Sequence, residues 1–219
     1  MPIILSATLP AAAGKAKEYL AALKPEYDHV VANEASINQA YFFYSPIGKP
    51  ETIYGIESYA SKDAIENVHT QSAPFKKFVA DATLVSDGEL GINLLEPSVG
   101  FLSRPKFTDF PSSEALLLHV TLMVKPGTRD YCLEQFGKIA DDVLANEPNC
   151  TSYLYMKDLA DPNKIMIFER YLTRKDLEVT HRGGEVFKTV FGELDNGVYI
   201  TGKEVIECVE TGLGFLDRA

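Results

Sequence analysis

At 219 residues, 46% hydrophobic and 24% charged, the chain has the composition of an ordinary folded globular protein. Its 31 acidic residues against 21 basic ones leave a formal net charge of −10. With no Lys/Arg cluster to relieve that charge, nucleic acid is excluded as a partner. No run approaches a membrane span, and three cysteines without a CxxC spacing read as reduced and buried, so the cytoplasm is the expected compartment.

Ile3–Leu9 is a short apolar, β-branched run ended by Pro10 and reads as a first strand. A helix follows from Gly14, with Tyr19, Leu20 and Leu23 at helical spacing, and Pro25 is expected to break or kink it before Tyr27–Ala32. Gln39–Ser45 alternates, with Tyr41 and Phe43 on one face and Phe42 and Tyr44 on the other; Gly48-Lys49-Pro50 turns the chain into a second hairpin strand, Thr52–Ala60. Ser61 is a helix N-cap, Ser72-Ala73-Pro74 interrupts that helix, and Phe75–Ala82 resumes it. Leu84–Leu95 is read as a last strand, bulged near Asp87-Gly88.

The order then repeats: strand Ala115–Val124, helix Gly127–Asn146, hairpin Ser152–Lys157 with Lys164–Leu172, broken helix Thr173–Phe191, strand Gly197–Glu210. The repetition is written in the residues themselves. Ile53, Glu57-Ser58-Tyr59, Glu66, His69 and Phe75-Lys76 recur at an offset of 112 as Ile165, Glu169-Arg170-Tyr171, Glu178, His181 and Phe187-Lys188. Upstream, Ala32-Asn33-Glu34 recurs as Ala145-Asn146-Glu147 at an offset of 113. A period near half the chain means two copies of one unit. Each copy is β-α-β-β-α-β, the ferredoxin-like arrangement, so the fold class is α+β. The expected domains are 1–97 and 114–212, with a Pro- and Phe-containing linker over 98–113 and a tail over 213–219. Phe101, Phe107 and Phe110 are expected to pack the linker onto the surface. Both faces of each sheet carry large apolar groups and must be covered. The economical solution is an intramolecular dimeric α/β-barrel, two sheets facing across a pseudo-twofold axis.

The strand, the Gly-started helix, the hairpin and the Glu-x-Tyr-x-[Ser/Thr]-[Lys/Arg] run through His69 and His181 resemble the antibiotic biosynthesis monooxygenase domain. That family belongs to the dimeric α/β-barrel superfamily, and the likeness covers roughly Pro2–Pro97 and Glu114–Gly212. It implies a pocket in each half between sheet and helices, holding a small flat apolar molecule, with Tyr41, Phe43, Tyr59, Phe75, Tyr153, Tyr155, Tyr171 and Phe187 as substrate-binding residues. It also implies O₂ as co-substrate, no cofactor and no metal, and a cofactor-independent monooxygenase of secondary metabolism as the activity. Anthrone-like polyketides, quinols and lipid-derived acids are the implied substrates. Non-catalytic ligand binding and isomerase or cyclase chemistry are the alternatives in the same pocket. The chain has no Trp, which argues against haem cleavage. Further homodimerisation of the pseudo-dimer is open.

Of four histidines, His69 and His181 are the two that recur. A His there can take a proton from a phenol or enol near neutral pH; equally, it can close the broken helix or bond Glu66 or Glu178 three residues earlier. Glu57 and Glu169 read as bases or as partners in an ion pair between the halves, and Asn33 and Asn146 as helix C-terminal caps. Gly212-Leu213-Gly214-Phe215 lacks the context of a dinucleotide loop, and no H-x-[DE] pair, G-x-S-x-G or P-loop occurs. After His69 comes Thr70-Gln71-Ser72 and after His181 comes Arg182-Gly183-Gly184, so the two pockets are expected to differ.

Overall fold

The structure, a computed structural model, describes residues 1–104 and 115–218. The stretch with Phe107 and Phe110 lies outside them. Among the described residues eight strands and four α-helices follow in chain order: β1 (Ile3–Pro10), α1 (Ala16–Asn33), β2 (Asn38–Pro46), β3 (Thr52–Tyr59), α2 (Ala73–Thr83), β4 (Gly91–Phe101), β5 (Leu116–Val124), α3 (Arg129–Asn146), β6 (Cys150–Asp158), β7 (Lys164–Tyr171), α4 (Glu185–Leu194) and β8 (Ile200–Phe215). The hydrogen-bonded strand order is β1-β3-β2-β8-β5-β7-β6-β4, closed end to end, so the α+β class, the twice-repeated ferredoxin-like unit and the single eight-stranded barrel are as expected.

The chain divides into two units. Unit 1 is Met1–Leu94 with the chain from Glu210 onward, and unit 2 is Leu95–Val209. In unit 1, β3 pairs antiparallel with β1 (Leu5 opposite Glu57) and with β2 (Tyr41 opposite Glu57). In unit 2, β7 pairs with β5 (Leu118 opposite Glu169) and with β6 (Tyr153 opposite Glu169). The same register is thus written twice, and a ladder shift recurs at Asn38/Ala40 and at Cys150/Ser152.

Helices form where apolar residues recur every three to four positions. α1 buries Tyr19, Leu23 and Val30 against Leu5, Ala7, Leu9, Tyr41 and Phe43, and α2 adds Phe78 and Ala82. α3 buries Leu133, Phe136, Ile139, Ala140 and Val143 against Leu118, Val120, Tyr153 and Tyr155, and α4 adds Val190 and Leu194. Each of the Val, Leu, Ile and Phe side chains among them stabilises its unit by about 1.5–3 kcal/mol. The opposite sheet faces are buried as well, at Ile4, Phe42, Tyr44 and Ile56 and at Leu117, Leu154, Met166 and Phe168.

Three elements differ from expectation. Pro25 does not break α1, which runs through it. Pro25 and Ala21 both lie on the exposed face, where water can serve the carbonyl left without a partner. The last strand of the first copy begins at Gly91, not at Leu84, because residues 84–90 turn around Gly88 (φ 137°) and Ser86, whose hydroxyl donates to the Pro10 carbonyl at 2.7 Å. It then runs to Phe101, pairing with β6 over Leu95–Phe101. Likewise β8 runs past Glu210 to Phe215, and its Thr211 hydroxyl donates to the Phe43 carbonyl at 2.9 Å. The fourth strand of each copy therefore begins in one unit and ends in the other.

These strand ends carry a repeat not apparent from composition: Phe101-Leu102-Ser103-Arg104 and Phe215-Leu216-Asp217-Arg218, offset by 114. Arg104 donates to the carbonyls of Val143, Leu144, Glu147 and Cys150 at 2.7–3.1 Å. Arg218 donates to those of Val30, Val31 and Asn38 at 2.7–3.0 Å. Each guanidinium thus adds donors to the carbonyls of a helix C-terminus, some of which (Val30, Val143) already accept a backbone amide, and its positive charge suits the dipole there. Each also lies over a ring of its own motif, Phe101 at 4.9 Å and Phe215 at 4.5 Å. Gly100 and Gly214 precede those rings at positive φ, where a Cβ would collide with the Tyr153 carbonyl oxygen or with Phe42 Cα.

Candidate functional site

In unit 1 the Ser61 hydroxyl accepts from the Ala64 amide, starting a π-turn over Ala64–Val68 that passes into a 3-10 turn at His69–Gln71. Ser72 then caps α2, accepting from the Phe75 amide at 3.1 Å. This widened turn aims the buried His69 inward among Tyr41, Tyr59 and Phe75, whose ring centroids lie 5.8, 5.2 and 5.0 Å away. His69 Nδ1 lies 3.0 Å from Glu34 Oε2 and 3.4 Å from Glu26 Oε1. Glu34 is the residue at which α1 ends, and Glu26 is on its buried face. On β3, Tyr59 donates to Glu57 Oε2 at 2.8 Å.

Unit 2 repeats most of this. Asp176 accepts from the Thr173 amide and hydroxyl at the start of a π-turn over Asp176–His181. His181 Nδ1 lies 3.1 and 3.2 Å from the Glu147 oxygens, at the end of α3. Its Nε2 is 3.4 Å from the Tyr153 hydroxyl, which is 2.9 Å from that of Tyr155. Tyr171 donates to Glu169 Oε2 at 2.8 Å, and the Phe187 ring lies 4.5 Å from that of His181.

Burial dominates the electrostatics. It pushes the Glu57 carboxyl up to about 6 and Glu26 up to about 7, and it raises Glu169. Burial also opposes charge on His69, but the Glu34 hydrogen bond and the charges of Glu57, Glu34 and Glu26 outweigh it and hold the imidazole above its ordinary range. The hydroxyls of Tyr41, Tyr59, Tyr153 and Tyr171 are raised far enough by burial to remain protonated donors.

Each unit has a cavity between its sheet and its helices. That of unit 1 is about 240 Å³, walled by Leu5, Leu9, Leu23, Phe43, Phe75 and Phe78, with His69, Tyr41 and Glu57 on it and Lys62, Glu66 and Thr70 also lining it. That of unit 2 is about 400 Å³, lined by His181, Tyr153, Tyr155, Glu169, Phe187 and Phe191, and it includes the ion-paired Asp195 and Lys203 and also Arg182. The two cavities differ, as expected, and residues at and behind their walls differ between the copies. Tyr155 stands where unit 1 has Phe43, Phe136 where it has Leu23, and Ile139 where it has Glu26. Tyr59 and Tyr171 are not on the walls; both are held behind them, fully buried, by their bonds to Glu57 and Glu169.

The partners of the two histidines were not legible in the sequence. Glu66 pairs with Lys62 at 3.1 Å and Glu178 with Arg182 at 2.9 Å, both at the surface. The histidines reach instead to Glu34 and Glu147, residues 35 and 34 positions earlier. The repeated Ala-Asn-Glu was the signal that could have found them. Asn33 and Asn146 are the last residues within their helices, and the caps are Glu34 and Glu147: Asn33 donates to the His29 carbonyl at 3.0 Å and Asn146 to the Asp142 carboxylate at 2.6 Å. Glu26, which has no counterpart, had no signal. Glu26, Glu34 and His69 each offer one ligand atom within 4.8 Å of the others, close enough to share a cation.

Fold and geometry together define a tandem ferredoxin-like α+β protein with one histidine-walled cavity in each unit. The family model for antibiotic biosynthesis monooxygenase matches residues 2–81 and 115–192, and the chain belongs to that family. A crystal structure of an inferred monooxygenase of Lactobacillus acidophilus NCFM is similar at 17% identity and TM-score 0.79, covering 95% of this chain and 93% of that one. One of Fusobacterium nucleatum is similar at 20% identity and TM-score 0.81, covering 99% and 97%. An anthrone oxidase-like protein is similar at 13% identity and TM-score 0.64, covering 96% and 91%. At these identities the likeness is one of fold. No curated protein matches the chain. Among the described residues no helix is long and apolar enough to cross a membrane.

Proposed function

We propose that the protein is a monooxygenase whose own side chains activate a small aromatic hydroxyl compound, an anthrone in its enol form or a quinol, for direct reaction with O₂. The observation that carries this reading is in unit 2. His181 and the hydroxyls of Tyr153 and Tyr155 converge on one wall of a cavity of about 400 Å³, with His181 Nδ1 anchored by Glu147. His181 Nε2 takes the substrate hydroxyl proton, and the tyrosine hydroxyls donate to the oxyanion that forms. The electron-rich anion passes an electron to O₂, the two radicals combine into a C–O bond, and the resulting peroxide loses water to leave a carbonyl. One oxygen atom ends in the product and the other in water, and the substrate supplies both electrons. An anthrone oxidase-like protein shares the fold, which makes anthrones the first substrates to test. Three free buried cysteines support a reducing compartment, the cytoplasm.

Incubation with a panel of anthrones and quinols under ¹⁸O₂ tests the reading. One labelled atom per product is expected, and His181→Ala is expected to lower kcat by roughly 10²–10⁴-fold. Absence of label across the panel refutes it. For unit 1 a specific observation favours binding without turnover: Phe43 stands in place of the second tyrosine, so that hydroxyl is missing from a cavity that is also smaller and more apolar. An apolar ligand held tightly in a His181→Ala variant and released from Phe75→Ala would bear that out.

A further inference from the structure

We infer that unit 1, and not unit 2, binds one divalent transition-metal ion of the zinc class through His69 Nδ1 and the carboxylates of Glu26 and Glu34. The spacing is that of a ligand set. Nδ1 lies 3.0 Å from Glu34 Oε2 and 3.4 Å from Glu26 Oε1, and all three ligand atoms fall within 4.8 Å of one another. Zinc–nitrogen and zinc–oxygen bonds of about 2.0–2.2 Å place tetrahedral ligands roughly 3.4 Å apart. A modest rotation of side chains closes the set.

The second observation is independent of the spacing. Glu26 and Glu34 are 0% and 2% exposed, and Glu26 Oε1 and Glu34 Oε1 have no hydrogen-bond partner. A buried carboxylate oxygen without a donor is costly and uncommon. A single Nδ1 proton cannot serve two carboxylates. The remaining groups nearby do not close the gap. Ser72 Oγ lies 3.5 Å from the other Glu26 oxygen, and His29 Nε2 is 3.7 Å from Glu34 Oε1. Glu57 adds a third buried carboxyl near the imidazole. A divalent ion in place of the Nδ1 proton serves both carboxylates at once.

The ligands are also held in place before any ion arrives. Glu26 is on α1 and Glu34 is the residue that caps its C-terminus, and His69 is fixed by the turn that Ser72 ends. Unit 2 is the internal control. Ile139 stands where Glu26 would be, and Nδ1 of His181 is shared by both oxygens of Glu147 alone. One imidazole and two carboxylates, with no thiolate, suit a borderline ion such as Zn²⁺ more than a soft one. The inference stands apart from the reaction proposed above, which uses the unit 2 residues.

Purified full-length protein is incubated with excess ZnCl₂, dialysed against metal-free buffer and measured for zinc by mass spectrometry. Close to one zinc per chain is expected, together with a rise in Tm when zinc is added. Glu26→Gln, which keeps the side-chain shape, is expected to retain less than a tenth of that zinc and to show no zinc-dependent shift. Its circular dichroism spectrum establishes that it is folded. His181→Ala is expected to retain the full equivalent. Retention of no zinc by the unaltered protein, or equal retention by Glu26→Gln, overturns the inference. If Glu26→Gln does not fold, the unaltered protein decides alone: without a zinc-dependent rise in its Tm the site does not exist.

Discussion

Tyr59 and Tyr171 show how a residue can recur for reasons other than contact with a ligand. Each is 0% exposed and donates its hydroxyl to a buried carboxylate on the same strand face, Glu57 or Glu169. Removing the donor leaves that carboxylate without its hydrogen bond in a desolvated place, at a cost of about 1–3 kcal/mol. Tyr171→Phe is accordingly expected to lower unfolding stability by that amount in urea titrations, while ligand affinity in the unit 2 cavity changes little. A large loss of affinity with unchanged stability would put Tyr171 back on the cavity wall. The alternation of the strands made the shared face of Glu and Tyr readable. That the tyrosine of each pair lies behind the cavity while its glutamate is on the wall was not readable, since only the surrounding packing separates a wall from its backing.

At the scale of elements, the ends of β4 and β8 matter more than their length. Arg104 and Arg218 each fill the carbonyl-lined end of a helix, and that helix end is where Glu147 or Glu34 begins its reach toward a histidine. Lysine offers a point charge where the helix end presents several carbonyls to a planar fork, so it should not substitute. Arg218→Ala and Arg218→Lys are both expected to destabilise the protein by about 1–3 kcal/mol. Hydrogen exchange should quicken at the last turn of α1 in both. Protection equal to that of the unaltered protein would show the guanidinium to be dispensable. Periodicity located every helix and hairpin to within a few residues. It failed at strand ends, where Glu210–Phe215 and Glu96–Phe101 are strands because of what they pair with and not because of their own pattern.

For the whole molecule, acid sensitivity is set by groups that must change charge on unfolding. Burial, with the nearby positive charge of Lys164, pushes the His119 imidazole down to about 4. The folded protein therefore keeps His119 neutral where an unfolded chain would protonate it. Stability from this group is fully present above its ordinary value of 6.5 and is lost as pH falls toward 4. Glu57, raised to about 6, acts with the opposite sign, its contribution disappearing as pH rises from the ordinary 4.5. The two are separated by comparing variants. Going from pH 7 to 4.5, the unaltered protein is expected to lose about 2–3 kcal/mol more than His119→Leu. Equal pH slopes in denaturant titrations would show that His119 protonates freely in the fold.

The duplicated β-α-β-β-α-β order, the two recurring histidines and the family likeness were all present in the linear chain, because each is carried by local spacing or by direct repetition of residues. Which carboxylates those histidines meet was decided only by folding, since Glu34 and His69 are brought together across 35 positions by the packing of a helix end against a turn. The same holds for the crossing of β4 and β8 between units and for the unequal cavities. A single buried exchange, Glu26 for Ile139, is one letter in the sequence, and its consequence depends on the neighbours that exclude water around it.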